Sequence, residues 1–414
     1  MASMEMAARA IDLAAANTDR PARGGRSAPA RASFRRLQLT DFRSYERLDV
    51  AFDGRPAYFI GANGAGKTNL LEALSLFGPG RGLRGARLDD LAREGGAGRW
   101  AAAAEFDAGD GDLQDTDGFR RLGVGCERKV DGGASRMCRL DGAPARGPIA
   151  FADLLRFSWL TPAQDGLFTA AAGDRRKFLD RIAQTRDASH ARAANDFEAT
   201  ARQRQTLLDE RRFDDAWLTA LETSMAEAAV AVAAARREAA ASLAAYDASG
   251  FAGGAFPAAE IALEGDLETA LDGAPAADVE DQYISELKTR RRLDAEAGRA
   301  TMGPHRSDMV VRHREKGTLA RLCSTGEQKA LLIGLVLANA CALARASGAA
   351  PLILLFDEIA AHLDPDRRAA LFNVLGGVGF QCFMTGTDDH LFEAWGERAQ
   401  GFRVAAGTVS EIRG

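Results

Sequence analysis

Gly61-Ala62-Asn63-Gly64-Ala65-Gly66-Lys67-Thr68 places Gly, Gly, Lys and Thr at the spacing of a phosphate-binding loop. The four residues before it, Ala57-Tyr58-Phe59-Ile60, are apolar and rich in β-formers, as a short buried strand requires. Those after it, Asn69-Leu70-Leu71-Glu72-Ala73-Leu74, are helix formers with one apolar face. Strand, glycine loop and helix together give the match its meaning, whereas a glycine-rich turn that merely carries a lysine needs no such flanks. Backbone N–H groups over Gly61 to Gly66 can curl around phosphate oxygens at a helix N-terminus whose dipole favours anions. Lys67 then reaches the β- and γ-phosphates, and the Thr68 hydroxyl is a candidate Mg²⁺ ligand. The expected cofactors are ATP and Mg²⁺.

A second stretch supplies the carboxylates. Leu352 to Phe356 is an unbroken apolar run, as expected of a central parallel strand buried on both faces. It ends in Asp357-Glu358, where open α/β sheets place their ligands. Asp357 is the candidate metal residue and Glu358 the candidate base that polarises the attacking water. Upstream, Ser324-Thr325-Gly326-Glu327-Gln328-Lys329 opens an apolar helix-like run from Ala330 to Ala344. A small polar residue and a glycine at a helix start form a second anion site.

The last of these segments resembles the signature of ABC-type ATPases, in which the signature of one subunit closes over the nucleotide held by the other. Ala361-His362-Leu363-Asp364 is similar to the D-loop that runs along the same seam. Phe383-Met384-Thr385-Gly386-Thr387 reads as another buried strand ending at the switch position, where Thr387 is the expected γ-phosphate sensor with His390 three residues on.

With 414 residues, 46% of them hydrophobic, the chain can bury a large core. A net charge of −5 and a pI near 5.7 carry no global mark of nucleic-acid binding, so any such contact must come from local patches. Cys126, Cys138, Cys323, Cys341 and Cys382 include no CxxC and no metal-like cluster with histidine, which points to a reduced, cytoplasmic protein. Ala330 to Ala344 is interrupted by Asn339 and short for a membrane span, and no other segment reads as one, so no membrane partner is expected.

Residues 1–33 read as a disordered, dispensable extension rather than a targeting peptide, because Glu5, Asp12 and Asp19 interrupt the arginines. From Phe34, loose alternation through Phe42 and again from Tyr45 to Phe52 predicts an antiparallel hairpin leading into the loop strand. Asp174 to Tyr246 is dense in Ala, Arg, Glu and Leu and predicts two or three long helices, with a break at Phe213-Asp214-Asp215. After a linker from Gly250 to Pro257 come a short strand at Ile261-Ala262-Leu263 and a helix over Asp278 to Arg299. Imperfect heptads favour a packed lobe or short antiparallel arm over a long coiled coil. The expected fold is α/β, an ABC-type P-loop ATPase head split by an inserted, mostly helical lobe. Its halves cover 34–170 and 301–414, and the lobe 171–300.

This order resembles the SMC-like branch of the ABC ATPases and, within it, the RecF family. FRRLQLTDFRSYERLDVAF (34–52), PGRGLRGA (79–86), TPAQDGLF (161–168) with GDRRKFLD (173–180), GPHRSDM (303–309) and STGEQKALL (324–332) carry the resemblance, over about 34–414. It implies nucleotide contacts from Gly61, Ala62, Asn63, Gly64, Ala65, Gly66, Lys67 and Thr68. Asp357 and Gln164 would complete the Mg²⁺ and water shell, and Ser324, Gly326 and Asp364 would act across a dimer. The implied function is a weak, DNA-stimulated ATPase of recombinational repair and replication. In that picture an ATP-dependent homodimer grips double-stranded DNA near single-strand junctions, and with RecR and RecO loads RecA until slow hydrolysis releases it. The family often has a second Asp where this chain has Glu358. Another short-armed SMC-like repair ATPase is the alternative; an ABC transporter subunit would lack a helical insertion of this size.

Arg81 and Arg84, Arg175-Arg176-Lys177, and Lys288-Thr289-Arg290-Arg291-Arg292 are the local basic clusters for phosphate contact, or else solvated helix surface paired within its own helix. His305-Arg306 either packs the junction of lobe and head or contacts the nucleotide side.

Overall fold

The computed structural model describes residues 32–109, 118–128, 134–211, 214–246, 254–346 and 350–412. Of the extension expected over 1–33, all but Ala32 and Ser33 lies outside the described residues, as does Phe213. Ala32 and Ser33 are buried.

Three sheets organise the chain. The first is antiparallel and contains β1 (Ser33–Phe42), β2 (Tyr45–Ala51), β4 (Trp100–Asp107), β5 (Arg120–Arg128), β6 (Ala134–Leu140) and β7 (Ala143–Ala145), in the order β2-β1-β4-β5-β6-β7. The β1–β2 pair is the hairpin that the alternation predicts, with Leu37 opposite Val50 and Leu39 opposite Leu48. The central sheet contains β3 (Ala57–Ile60), β8 (Arg156–Leu160), β12 (Leu352–Phe356), β13 (Cys382–Gly386), β14 (Gln400–Ala405) and β15 (Thr408–Glu411). Its order is β15-β14-β3-β13-β12-β8, parallel except for the edge strand β15.

The central strands explain their own composition. On β12, Ile353 and Leu355 face the core shared with the first sheet, while Leu352, Leu354 and Phe356 face the opposite core. Both faces are covered, so all five residues are apolar. Between the two sheets, Phe52 packs edge-on against Phe383 and Phe402 with ring centroids 5.1 and 5.6 Å apart, geometry that aromatic pairs favour.

Helix α1 (Lys67–Ser75) follows the loop. The lobe comprises α2 (Ala172–Arg186), α3 (His190–Asp209), α4 (Asp215–Ala245), α5 (Asp266–Gly273) and α6 (Ala276–Ala297). Phe197, Met225, Val230, Tyr283 and Leu287 form its core. A third sheet, order β11-β10-β9, joins β9 (Ala259–Glu264) from the lobe to β10 (Asp308–His313) and β11 (Thr318–Leu319), where the chain re-enters the head. Helices α7 (Thr325–Arg345) and α8 (Pro365–Val378) complete the second core.

Among the described residues two helices, α4 and α7, are long and apolar enough to cross a membrane, which corrects the expectation that only the Ala330–Ala344 run needs that check. Both are core helices here. Helix α7 is buried continuously from Ala330 to Leu343, and α4 packs against α2, α3, α5 and α6. The lobe also buries ions. Arg204 donates Nε to Glu222 (3.0 Å), Nη1 to Asp294 (2.7 Å) and Nη2 to the Leu287 carbonyl (2.7 Å), and all three charged residues are essentially inaccessible.

Candidate nucleotide site

Strand β3 ends where the loop must turn sharply, and two glycines are required there. Gly61 adopts φ +155°, and a Cβ on it would lie 2.3 Å from the Val404 carbonyl of β14. Gly66 adopts φ +106°, and a Cβ there would meet Ser44 Oγ at 2.7 Å and Tyr45 Oη at 2.8 Å. Tyr45 Oη in turn donates to the Gly66 carbonyl (3.1 Å), so the β1–β2 turn braces the loop from below. Ala62, Asn63 and Gly64 are exposed at the tip of the loop, with Ala65 partly covered.

Lys67 is the first residue of α1 and almost fully buried. Its Nζ donates to the Gly61 carbonyl (2.6 Å) and the Ala62 carbonyl (3.0 Å). Burial lowers its pKa, and the nearby carboxylates of Glu358, Asp357 and Asp388 work in the other direction. Thr68 Oγ1 donates to Asp357 Oδ1 (2.9 Å), bringing together two residues 289 positions apart. The same Asp357 oxygen accepts from Thr385 Oγ1 (2.7 Å), and Thr385 Oγ1 accepts from the Glu358 backbone N–H (2.9 Å). Glu358 itself sits in the left-handed region at φ +53°, an uncommon conformation for a residue with a Cβ and one that clusters at functional turns.

Thr385 is the residue that sequence reasoning passed over. It is fully buried on β13, between the loop strand and the carboxylate strand, whereas Thr387 is exposed two residues later, as is His390. The signal that separates them is the end of the apolar run at Gly386. Gln164 closes the short 3-10 turn Pro162–Gln164 after β8, its Oε1 accepting from the Thr161 N–H (3.2 Å). That turn is next to Asp357, whose N–H donates to Leu160 at the end of β8 (2.9 Å).

Behind α1, the buried Glu72 carboxylate receives Arg43 through both Nε (2.9 Å) and Nη2 (3.0 Å), and Arg84 at 3.3 Å. Arg84 also donates to Asn69 Oδ1 (2.9 Å), and Asn69 donates to Ser44 Oγ (2.9 Å). Arg84 thus ties the PGRGLRGA loop to the first turn of the phosphate helix, while Arg81 is exposed beside it.

The signature segment forms a capping box. Ser324 Oγ accepts from the Glu327 N–H, and Glu327 Oε2 accepts from the Ser324 N–H (2.9 Å) and hydroxyl (2.8 Å). Lys316 pairs with the same Glu327 and, together with the Ser324 donors, pulls its carboxyl down to about 2. Ser324, Thr325 and Gly326 are exposed. Asp364 caps α8, accepting from the Arg367 N–H (2.8 Å).

The remaining basic candidates separate clearly. Arg175 clasps Asp308 through Nε (2.7 Å) and Nη2 (2.6 Å), and Arg291 is spent on Glu222 (2.9 and 2.6 Å) and Asp215 (2.6 Å). Arg290 pairs with Glu286 one turn back, and Arg292 is exposed. His305 stacks on Phe197 (5.5 Å) and its Nε2 lies 2.9 Å from the Ala300 carbonyl. Of the two readings of His305, these contacts favour packing at the junction of lobe and head.

A phosphate loop, a buried carboxylate strand and a capped signature helix, on a head split by a helical lobe, define an ABC-type ATPase head of the SMC class. Residues 33–410 match the family model described as the RecF/RecN/SMC N terminal domain. The DNA replication and repair protein RecF of Rhizobium etli (strain CIAT 652) is 48% identical over 92% of this chain and 99% of its own. The RecF protein of Mesorhizobium japonicum is 49% identical over 92% and 98%. The chain belongs to the RecF family. Its fold is similar to the solved recombination mediator protein RecF of the RecFOR pathway with ATPrS, at TM-score 0.77 and 20% identity, over 94% of this chain and 100% of that one.

Proposed function

We propose that this protein is an ATP-gated DNA clamp of recombinational repair and replication, whose nucleotide site is completed only by a second copy. The observation that carries the reading is the signature. Ser324 and Gly326 are exposed at a helix N-terminus, and among the described residues no hydrogen bond joins that segment to the chain's own phosphate loop. A dipole and free N–H groups aimed at solvent suit a partner's γ-phosphate.

Within one copy, residues 61–66 cradle the phosphates, and Lys67 moves from its loop carbonyls to the β- and γ-oxygens. The Thr68 hydroxyl and Asp357 carboxylate are hard oxygens 2.9 Å apart and fit Mg²⁺, which takes few protein ligands and neutralises phosphate charge. Glu358 orients and deprotonates the attacking water, and Gln164 and Thr387 line the γ-phosphate side. Asp364 meets the seam from the other copy. The protein closes on DNA through phosphate contacts, with Arg81, Arg84, Lys177 and Arg292 as the candidates that retain exposed side chains. The naming of the relatives as DNA replication and repair proteins, and the placing of the solved RecF in the RecFOR pathway, support a role in DNA repair alongside RecR and RecO; action at gapped duplex and the loading of RecA are what the family resemblance adds.

Sedimentation velocity tests this reading. ATP converts the parent from monomer to dimer, and Ser324→Arg keeps ATP binding but stays monomeric. A Ser324→Arg protein that dimerises like the parent removes the signature from the partner's site.

A further inference from the structure

The segment after β8 and the signature helix are tied together within one copy. Lys329, on the first turns of α7, has its Nζ 2.9 Å from Asp165 Oδ2. The lysine side chain is only 12% exposed while the aspartate keeps 40%, so the ammonium is packed in place and the carboxylate meets it from the solvent side. Asp165 directly follows Gln164, on the turn beside Asp357. Lys329 lies two residues after Glu327, which boxes Ser324, and one after Gln328, whose Nε2 donates to the Cys323 carbonyl (2.9 Å). Every polar side chain from 327 to 329 therefore fixes the pose of the signature, and one of them reports the turn that carries Gln164.

A second tie runs in parallel. Arg175 donates to the Ala170 carbonyl (2.6 Å) at the end of the same segment and clasps Asp308 on β10. Strand β10 pairs with β11, and Lys316, in the turn between them, reaches Glu327. Residues 161–170 thus touch the signature helix once directly and once through the third sheet.

We infer that Asp165 and Lys329 are a positioning pair: they transmit a shift of the Gln164 turn at a copy's own nucleotide to the signature that the same copy offers to its partner. This rests on the two-copy site proposed above. Neither side chain touches the phosphate loop, so the pair acts on the pose of the signature and not on holding nucleotide.

The test uses the full chain with ATP and three variants: Asp165→Asn, Lys329→Met and the exchanged pair Asp165→Lys with Lys329→Asp. Fluorescent-ATP titration, thermal melting and sedimentation velocity are run on each. The single variants retain parental ATP affinity and weaken ATP-driven dimerisation by about tenfold or more, and the exchanged pair restores it. Hydrogen exchange at concentrations where the parent is monomeric supplies an independent readout. ATP slows exchange over 161–168 in all proteins, and over 323–331 only where the pair is intact or exchanged. Single variants that dimerise and exchange like the parent overturn the inference. So does loss that the exchanged pair fails to rescue in both measurements. If the parent shows the linked exchange but never dimerises with ATP, the partner-site reading falls while the positioning pair stands.

Discussion

Thr385 holds the two candidate carboxylates, Asp357 and Glu358, in one frame. Its hydroxyl, fully buried on β13, donates to Asp357 and accepts from the Glu358 backbone N–H. Removing it leaves the Asp357 carboxylate held by Thr68 alone and takes from the partly buried Glu358 N–H its acceptor. Thr385→Val, nearly isosteric, lowers single-turnover ATP hydrolysis about 10–100-fold, as such supporting partners do, while Thr385→Ser stays near the parent. Equal rates in all three proteins refute the role. Lys67, Thr68 and Asp357 are legible in the sequence because each belongs to a contiguous motif whose neighbours announce strand, turn and helix. Thr385 and the brace from Tyr45 are not, because their partners are set by strand register: β13 lies between β3 and β12, and nothing local to Thr385 says so.

At the scale of elements, the lobe shows what periodicity can and cannot reveal. The three helices over 172–245 follow from apolar spacing and the dearth of Gly and Pro. The charges inside them do not, because Arg204, Glu222 and Asp294 look in sequence like solvated positions. Their burial is decided by which helix faces which, across separations of 18 and 90 residues. The same blindness applies to Arg291, which turns inward to Glu222 while its neighbour Arg292 stays outside. In the first sheet the difficulty is contrast: Ala102 and Ala104 are buried on β4 and Ala101 and Ala103 are not, an alternation that a run of alanines hides. Arg204→Met leaves the buried Asp294 carboxylate without its guanidinium and Glu222 with Arg291 alone, and lowers unfolding free energy by about 3–5 kcal/mol. Arg292→Ala shifts it by less than about 0.5 kcal/mol, as surface changes do. Urea denaturation of both, compared with the parent, decides whether the network is structural.

For the whole molecule, the proposed clamp asks an acidic chain to hold duplex DNA with few residues. Each lost phosphate contact flattens the plot of log affinity against log salt by about 0.9 on duplex DNA. Arg81→Ala and Arg292→Ala therefore each reduce the slope in the presence of ATP, equally for unrelated sequences and with ATP affinity unchanged. Arg175→Ala instead reads out as loss of the lobe–head clasp, with a lowered melting temperature. Filter binding over a salt series distinguishes the two classes, and an unchanged slope for Arg81 and Arg292 moves the DNA surface elsewhere.

The strand that launches the phosphate loop, β3, has both of its hydrogen-bonded neighbours near the end of the chain, in β13 and β14, more than three hundred residues downstream. At a synthesis rate of about 5–20 residues per second, the nascent loop waits on the order of fifteen seconds to a minute before anything can pair with the strand beneath it. The glycine that seals the loop rests against the carbonyl of Val404, and the ribosome is still covering that residue when most of the lobe has already emerged. The loop therefore reaches its final setting only once β14 has emerged. A chain truncated before β14 carries every candidate nucleotide residue but lacks the strand against which the phosphate loop is built.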